Sequence, residues 1–135
     1  MYGGTFRLTE RILNRFNIKF TTVNATHPEE IEQAIQPNTK LIYIETPSNP
    51  CFKITDIKAV AHIAKKHDLL LAVDNTFMTP LGQSPLALGA DIVVHSATKF
   101  LGGHSDIIAG AAITNRKDIA EALYLLQNGT GTAPV

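Results

Sequence analysis

The sequence predicts an α/β fold: a mostly parallel sheet covered by helices on both faces. Three observations carry this. Helical and extended patterns alternate from one end of the chain to the other. The extended stretches are apolar runs without the polar alternation of a half-solvated antiparallel sheet. Two of those runs, residues 69–74 and 91–99, end in polar side chains, as strands do when their carboxyl ends hold a ligand.

Each element follows from its own pattern. Phe6, Leu8, Ile12, Leu13 and Phe16 recur at about 3.6 residues and predict a helix over 5–16. Residues 18–23 alternate with β-branched side chains and predict a strand. Thr26-His27-Pro28-Glu29 reads as a helix start with Pro28 in the first turn, running to Ile35. A short buried strand is expected over 40–45. Thr46-Pro47-Ser48-Asn49-Pro50 ends it, because two prolines forbid continuation.

Ile57, Val60, Ala61 and Ala64 stripe one face of a helix over 56–67, capped by Asp56 or Thr55. A strand over 69–74 comes next, then a short helix stopped by Gly89, then a strand over 92–95. A further strand is expected over 107–114 and a helix over 118–127. Gly129-Thr130-Gly131-Thr132-Ala133-Pro134-Val135 reads as a glycine-rich linker.

Composition narrows the function classes. The 135 residues are 44% hydrophobic and 18% charged, enough for one core but short for a complete α/β enzyme. The net charge of zero gives no steering toward nucleic acid or an anionic membrane. Arg7, Arg11, Arg15 and Lys19 sit at helical spacing, the pattern of a solvated helix face. Cys51 is the only cysteine, so no internal disulfide forms, which is compatible with a reducing cytoplasm. The opening Met1-Tyr2-Gly3-Gly4-Thr5 lacks the basic and apolar regions of a secretory leader. The longest apolar or small run, 107–113, is far shorter than the roughly 18–20 residues of a membrane span. His62 and His67 point to different helix faces and no second cluster supplies ligands, so no metal site is expected.

The chemistry concentrates at two strand ends. If the runs ending at Asp74 and at Ser96-Ala97-Thr98-Lys99 are neighbouring parallel strands, their polar groups meet on one rim. An aldehyde cofactor with a pyridine nitrogen and a phosphate needs this set: a lysine for the imine, an acid for the ring nitrogen, hydroxyls for the phosphate. Taken alone, Lys99 is a surface lysine and Asp74 a turn cap before Asn75-Thr76. Together with Ser96, Thr98 and the following Gly102-Gly103 they read as a pyridoxal-phosphate site. Ser96 and Thr98, two apart on an extended segment, would point the same way, although ordinary turn chemistry gives the same spacing. Tyr2 before Gly3-Gly4 is either an aromatic lid on a flat ring or a frayed terminal residue. Asn49, held between prolines, either bonds the ring hydroxyl or only makes the turn. His104-Ser105-Asp106 has triad residue types, but consecutive residues cannot form a relay.

These stretches resemble the Cys/Met-metabolism (transsulfuration) family of pyridoxal-phosphate enzymes, the cystathionine synthases and lyases among them. The matching segments are Tyr2-Gly3-Gly4-Thr5, Glu45-Thr46-Pro47-Ser48-Asn49-Pro50 and Val73-Asp74-Asn75-Thr76-Phe77. The most specific is Ala90-Asp91-Ile92-Val93-Val94-His95-Ser96-Ala97-Thr98-Lys99, with Gly102-Gly103-His104-Ser105-Asp106 behind it.

The resemblance implies an aspartate-aminotransferase-type (fold-type I) large domain, with Lys99 as the aldimine lysine and Asp74 the ring-nitrogen partner. Ser96 and Thr98 are implied as phosphate contacts, Tyr2 as the stacking and catalytic tyrosine, and Asn49 as the neighbour of the ring hydroxyl. Thr76 joins the cofactor-binding residues. It further implies an amino-acid substrate, with β- or γ-elimination or γ-replacement on cystathionine-type compounds. A homotetramer of tight dimers is implied for the full-length parent. Family members are roughly three times longer, as expected for a large and a small domain. Residues 1–135 are therefore expected to be part of the large domain, with an upstream segment and the small domain absent, inactive and aggregation-prone alone. The rival expectations are a fold-type I aminotransferase and a catalytically inactive binding module.

Overall fold

A computed structural model describes residues 1–132. The elements in order are α1 (Gly3–Arg7), α2 (Pro28–Gln33), β1 (Leu41–Glu45), α3 (Ile57–Lys66), β2 (Leu70–Asp74), α4 (Thr79–Gly82), β3 (Ile92–Ser96), β4 (Gly110–Ile113) and α5 (Lys117–Thr130). The sheet order is β1-β2-β3-β4. The first three strands are parallel and β4 runs antiparallel on β3, so the α/β, mostly parallel expectation holds.

Helix α1 continues through a π turn (Leu8–Ile12) and a 3-10 turn (Leu13–Phe16), so the helical stretch predicted over 5–16 is present but irregular. Asn17 ends it in the left-handed conformation, with φ of 60°. The strand expected over 18–23 does not form. Alternation alone does not make a strand without a free edge to pair with, and this segment has no ladder partner. Val23 packs on the core while Ile18 and Phe20 face out.

The cap of α3 is Asp56, whose carboxylate accepts the Ala59 N–H at 3.0 Å. The short helix expected after Leu86 is a 3-10 turn, Pro85–Leu88, ended by Gly89 at φ of 104°. A side chain at Gly89 would also meet the Ala61 methyl at 2.8 Å. The predicted linker is corrected in its first half: Gly129 and Thr130 complete α5, and Gly131 is its left-handed cap. Its Ala133, Pro134 and Val135 lie outside the described residues.

The register decides which side chains share a face. Ile44 pairs with Val73 and Val73 with Val93, and this row is buried against α3. The core beneath it joins Ile31 of α2 with Ile57, Val60, Ile63 and Ala64 of α3. Two residues farther along each strand, the same face presents Thr46, Asn75 and His95, at 1%, 0% and 3% exposure. This is a polar layer closing an apolar core.

The buried layer is hydrogen-bonded almost completely. The Asn75 amide donates to the Thr79 and Gln83 carbonyls at 3.1 and 3.0 Å. The Gln83 amide donates to Asn75 Oδ1 at 2.8 Å and to the Thr46 carbonyl at 3.1 Å. The Thr46 hydroxyl accepts the Thr55 N–H at 3.0 Å. His95 is the exception, because its Nδ1 is buried without a partner.

Burial pushes the His95 imidazole below its ordinary 6.5, and the nearby Asp74 charge only partly opposes this. The folded state thus resists a proton that the unfolded chain accepts. The stability His95 confers is complete above pH 6.5 and falls as the pH drops below it. In the full-length protein, His95→Asn is expected to flatten that acid-side decline in melting temperature. An unchanged pH profile would contradict the buried neutral ring.

Much apolar surface is left uncovered: Phe16 is 73% exposed, Ile108 72% and Leu125 71%. Contiguous apolar patches beyond a few hundred Å² drive association. The isolated 135-residue chain is expected to associate and to bind a hydrophobic dye. A monodisperse, cooperatively melting monomer by light scattering and calorimetry would contradict this.

Candidate active site

The second face of the sheet carries the candidate site. Glu45, Asp74, Val94 and Ala112 form one row across all four strands. One row nearer the carboxyl rim, Ser96 lies beside Gly110. Gly110 places no side chain beside Ser96, and Ala112 only a methyl beside Val94.

Asp74 is held at both oxygens. Its Oδ1 accepts the Thr76 N–H at 3.0 Å and the Thr76 hydroxyl at 2.6 Å. Its Oδ2 accepts the Tyr43 phenol at 3.3 Å. The Thr76 oxygen in turn accepts the Ser96 N–H at 2.9 Å, so one hydroxyl ties the end of β2 to the end of β3. Burial, then the Asp74 charge, raises the Tyr43 phenol well above its ordinary range, with the Thr5 side chain opposing. The phenol therefore stays protonated and can only donate to Asp74. Charge-assisted bonds of this kind fix a carboxylate's direction.

Lys99 follows on the same rim. The strand stops at Ser96, and residues 97–100 turn. The Lys99 N–H bonds the Ser96 carbonyl at 3.1 Å, and the Lys99 carbonyl accepts the Gly103 N–H at 2.8 Å. Gly102 makes this loop possible: a Cβ there would lie 2.8 Å from the Ala97 carbonyl oxygen. The glycines thus let the loop close on itself. Lys99 is exposed and takes part in none of the ion pairs among the described residues.

The extended run expected through Thr98 is corrected by this turn. Ser96 and Thr98 do not share a strand face. The Thr98 hydroxyl donates to the Ala109 carbonyl at 3.1 Å and accepts the Ala109 N–H at 2.9 Å. It fastens the Lys99 turn to the segment entering β4.

Tyr2 and Asn49 come to the rim from other segments. Tyr2 precedes α1, and its ring folds back over Gly4, where a Cβ would lie 2.5 Å from the ring. Asn49 is exposed in the turn after β1. Both main chains are tied to Glu45: the Tyr2 N–H at 2.6 Å and the Asn49 N–H at 2.9 Å. Phe77 stacks on Phe52 at 5.4 Å and meets Phe100 edge-on at 6.2 Å, joining the three loops that follow β1, β2 and β3.

Glu45 and Tyr43 were not among the residues singled out from the sequence. Their signal is weak there, since strand alternation marks only that both share a face with Asp74.

The donor set fits a pyridoxal phosphate. Asp74 offers an oriented carboxylate, Lys99 an amine outside the ion pairs among the described residues, and Ser96 a hydroxyl at a strand end. Comparison with known proteins agrees. The family description matching residues 1–135 is Cys/Met metabolism PLP-dependent enzyme. The chain is 90% identical over 133 residues to cystathionine beta-lyase MetC of Staphylococcus haemolyticus, covering 98% of the chain and 34% of that protein. It is 57% identical to cystathionine gamma-lyase of Bacillus subtilis, covering 97% and 35%. A crystal structure of cystathionine gamma-lyase from Lactobacillus plantarum complexed with L-serine superposes with a TM-score of 0.95 at 50% identity, covering 97% and 34%. The chain thus spans about a third of the length of these relatives. With the whole chain matched and the sheet superposed, it belongs to the Cys/Met-metabolism family of pyridoxal-phosphate-dependent enzymes.

Proposed function

We propose that the full-length protein is a transsulfuration enzyme acting on cystathionine-type sulfur amino acids by β- or γ-elimination or γ-replacement. The observation that carries this is the shared rim: Asp74, fixed by Thr76 and Tyr43, stands on the strand next to the one that leads into Lys99. Residues 1–135 then form part of the cofactor-binding large domain.

When bound, pyridoxal phosphate supplies an electrophilic carbonyl and a protonated ring that takes up electron density from a substrate carbanion. Asp74 would hold the ring nitrogen's proton with its carboxylate. Tyr2 would cover the ring and Asn49 would bond the ring hydroxyl. Ser96 would donate to the phosphate. Thr98 reaches that anion as a donor only by giving up the Ala109 carbonyl, so its share is the smaller. Thr76 acts through Asp74. Lys99 Nζ would hold the cofactor and, once the substrate's amine has displaced it and its own amine is free, would take the proton from the substrate's Cα and return it elsewhere on the substrate.

Relatives named as beta-lyase and gamma-lyase both match this region, so the match by itself does not choose between β and γ chemistry. No helix among the described residues is long and apolar enough to cross a membrane. The lone, exposed Cys51 suits a reducing compartment such as the cytoplasm. The uncovered apolar side chains support assembly into a homotetramer.

The test uses the full-length protein with pyridoxal phosphate and L-cystathionine. Release of a thiol or homocysteine-type product with ammonia and a 2-oxo acid is expected. Amino-group transfer without C–S cleavage would overturn the reading. Lys99→Ala is expected to abolish the visible absorbance of the attached cofactor and to cut turnover by about 10²–10⁴-fold or more. Asp74→Ala should weaken cofactor binding and turnover together. A Lys99→Ala enzyme with normal absorbance and turnover would refute the lysine's role.

A further inference from the structure

Glu45 ends β1 in the same row as Asp74, and its side chain is only 10% exposed. Its two oxygens face two different segments. Oε2 accepts the Tyr2 N–H at 2.6 Å. Oε1 accepts the Asn49 N–H at 2.9 Å. Neither Tyr2 nor Asn49 belongs to the sheet, and they are far apart in sequence. One carboxylate, anchored on a strand, is what fastens both to it.

We propose that Glu45 is a positioning residue, which holds the main chains of Tyr2 and Asn49 where their side chains would meet the cofactor. The inference rests on the cofactor roles assigned to those two residues above. A carboxylate suits the task because each oxygen only accepts, and both partners are main-chain donors. A glutamine cannot satisfy both. Its amide nitrogen would face one of the two N–H groups, donor against donor, and release that segment. The Tyr2 ring beside this anchor folds over Gly4, where any Cβ would strike it.

The experiment is a cofactor titration of the full-length apo-enzyme. It is read by visible circular dichroism, which reports ring orientation, beside the melting temperature of the apo-protein. Glu45→Gln is expected to weaken pyridoxal phosphate binding about tenfold and to shrink the visible dichroic band, with little change in apo melting. In a Tyr2→Ala/Asn49→Ala background the same substitution should change binding less than about twofold, because the groups it positions are gone. An equal loss in both backgrounds means a general structural role and overturns the proposal. If Tyr2→Ala and Asn49→Ala weaken binding while Glu45→Gln does not, only the Glu45 assignment fails. If none of the three matters, the roles of Tyr2 and Asn49 fail, and this one with them. Should Glu45→Gln not fold, amide exchange in the wild-type apo-enzyme decides. Slow exchange at both the Tyr2 and Asn49 N–H supports the clamp, and fast exchange at either overturns it.

Discussion

The parallel register of β1, β2 and β3 is the constraint on which the site depends. With Glu45 opposite Asp74 and Asp74 opposite Val94, one face carries the acidic row and the other the buried Thr46, Asn75 and His95. A slip of one residue would exchange the faces, placing a carboxylate in the core and an amide in the site. The buried layer opposes such a slip, since Gln83 bonds both Asn75 and Thr46 and only the observed register presents them side by side. Core packing and site geometry are thus two readings of one set of strand pairings.

The polar groups at the rim divide into those that are consumed and those left open. Thr76 spends its proton on Asp74 and its lone pair on the Ser96 N–H. Thr98 is occupied in both senses by Ala109. Glu45 is filled by two main-chain donors. Among the described residues the Lys99 amine and the Ser96 side chain have no such tie, and Asp74 Oδ2 has one long contact at 3.3 Å. Consumed groups hold the loops in place; the open ones are where a ligand finds partners.

How much of this was legible in the sequence follows the range of the interactions. The strands 41–45, 70–74 and 92–96 are written locally, as apolar runs closed by turn chemistry, and they come out within a residue or two of expectation. The placement of Asp74 and Lys99 on one rim follows once those strands are parallel neighbours. The segment 18–23 was misread because alternation reports compatibility with a sheet, while forming one requires an edge supplied by other residues. Thr98 was misread for a related reason: its environment is set by Ala109, eleven positions on, across a turn that Gly102 closes. Tyr43 and Glu45 carry little local signal: the Asp74 partner of Tyr43 is 31 residues on, and Glu45 bonds Asn49 four residues on but Tyr2 43 residues back.

The three loops that leave the rim are joined to one another as well as to the sheet. Phe52, Phe77 and Phe100 follow β1, β2 and β3 in turn, and their contacts link the Asn49 turn, the Thr76 turn and the Lys99 turn. Each loop carries at least one residue of the proposed site close to its aromatic residue. A shift in any one loop would be felt by the others through ring contacts worth about 0.5–1.5 kcal/mol each where buried, and less here, where Phe52 and Phe100 are mostly exposed. The stronger ties therefore run downward into the strands, through Glu45, Thr76 and the Ser96 carbonyl. The rim takes its rigidity from the sheet, and the aromatic contacts add correlation between loops that the strands have already placed.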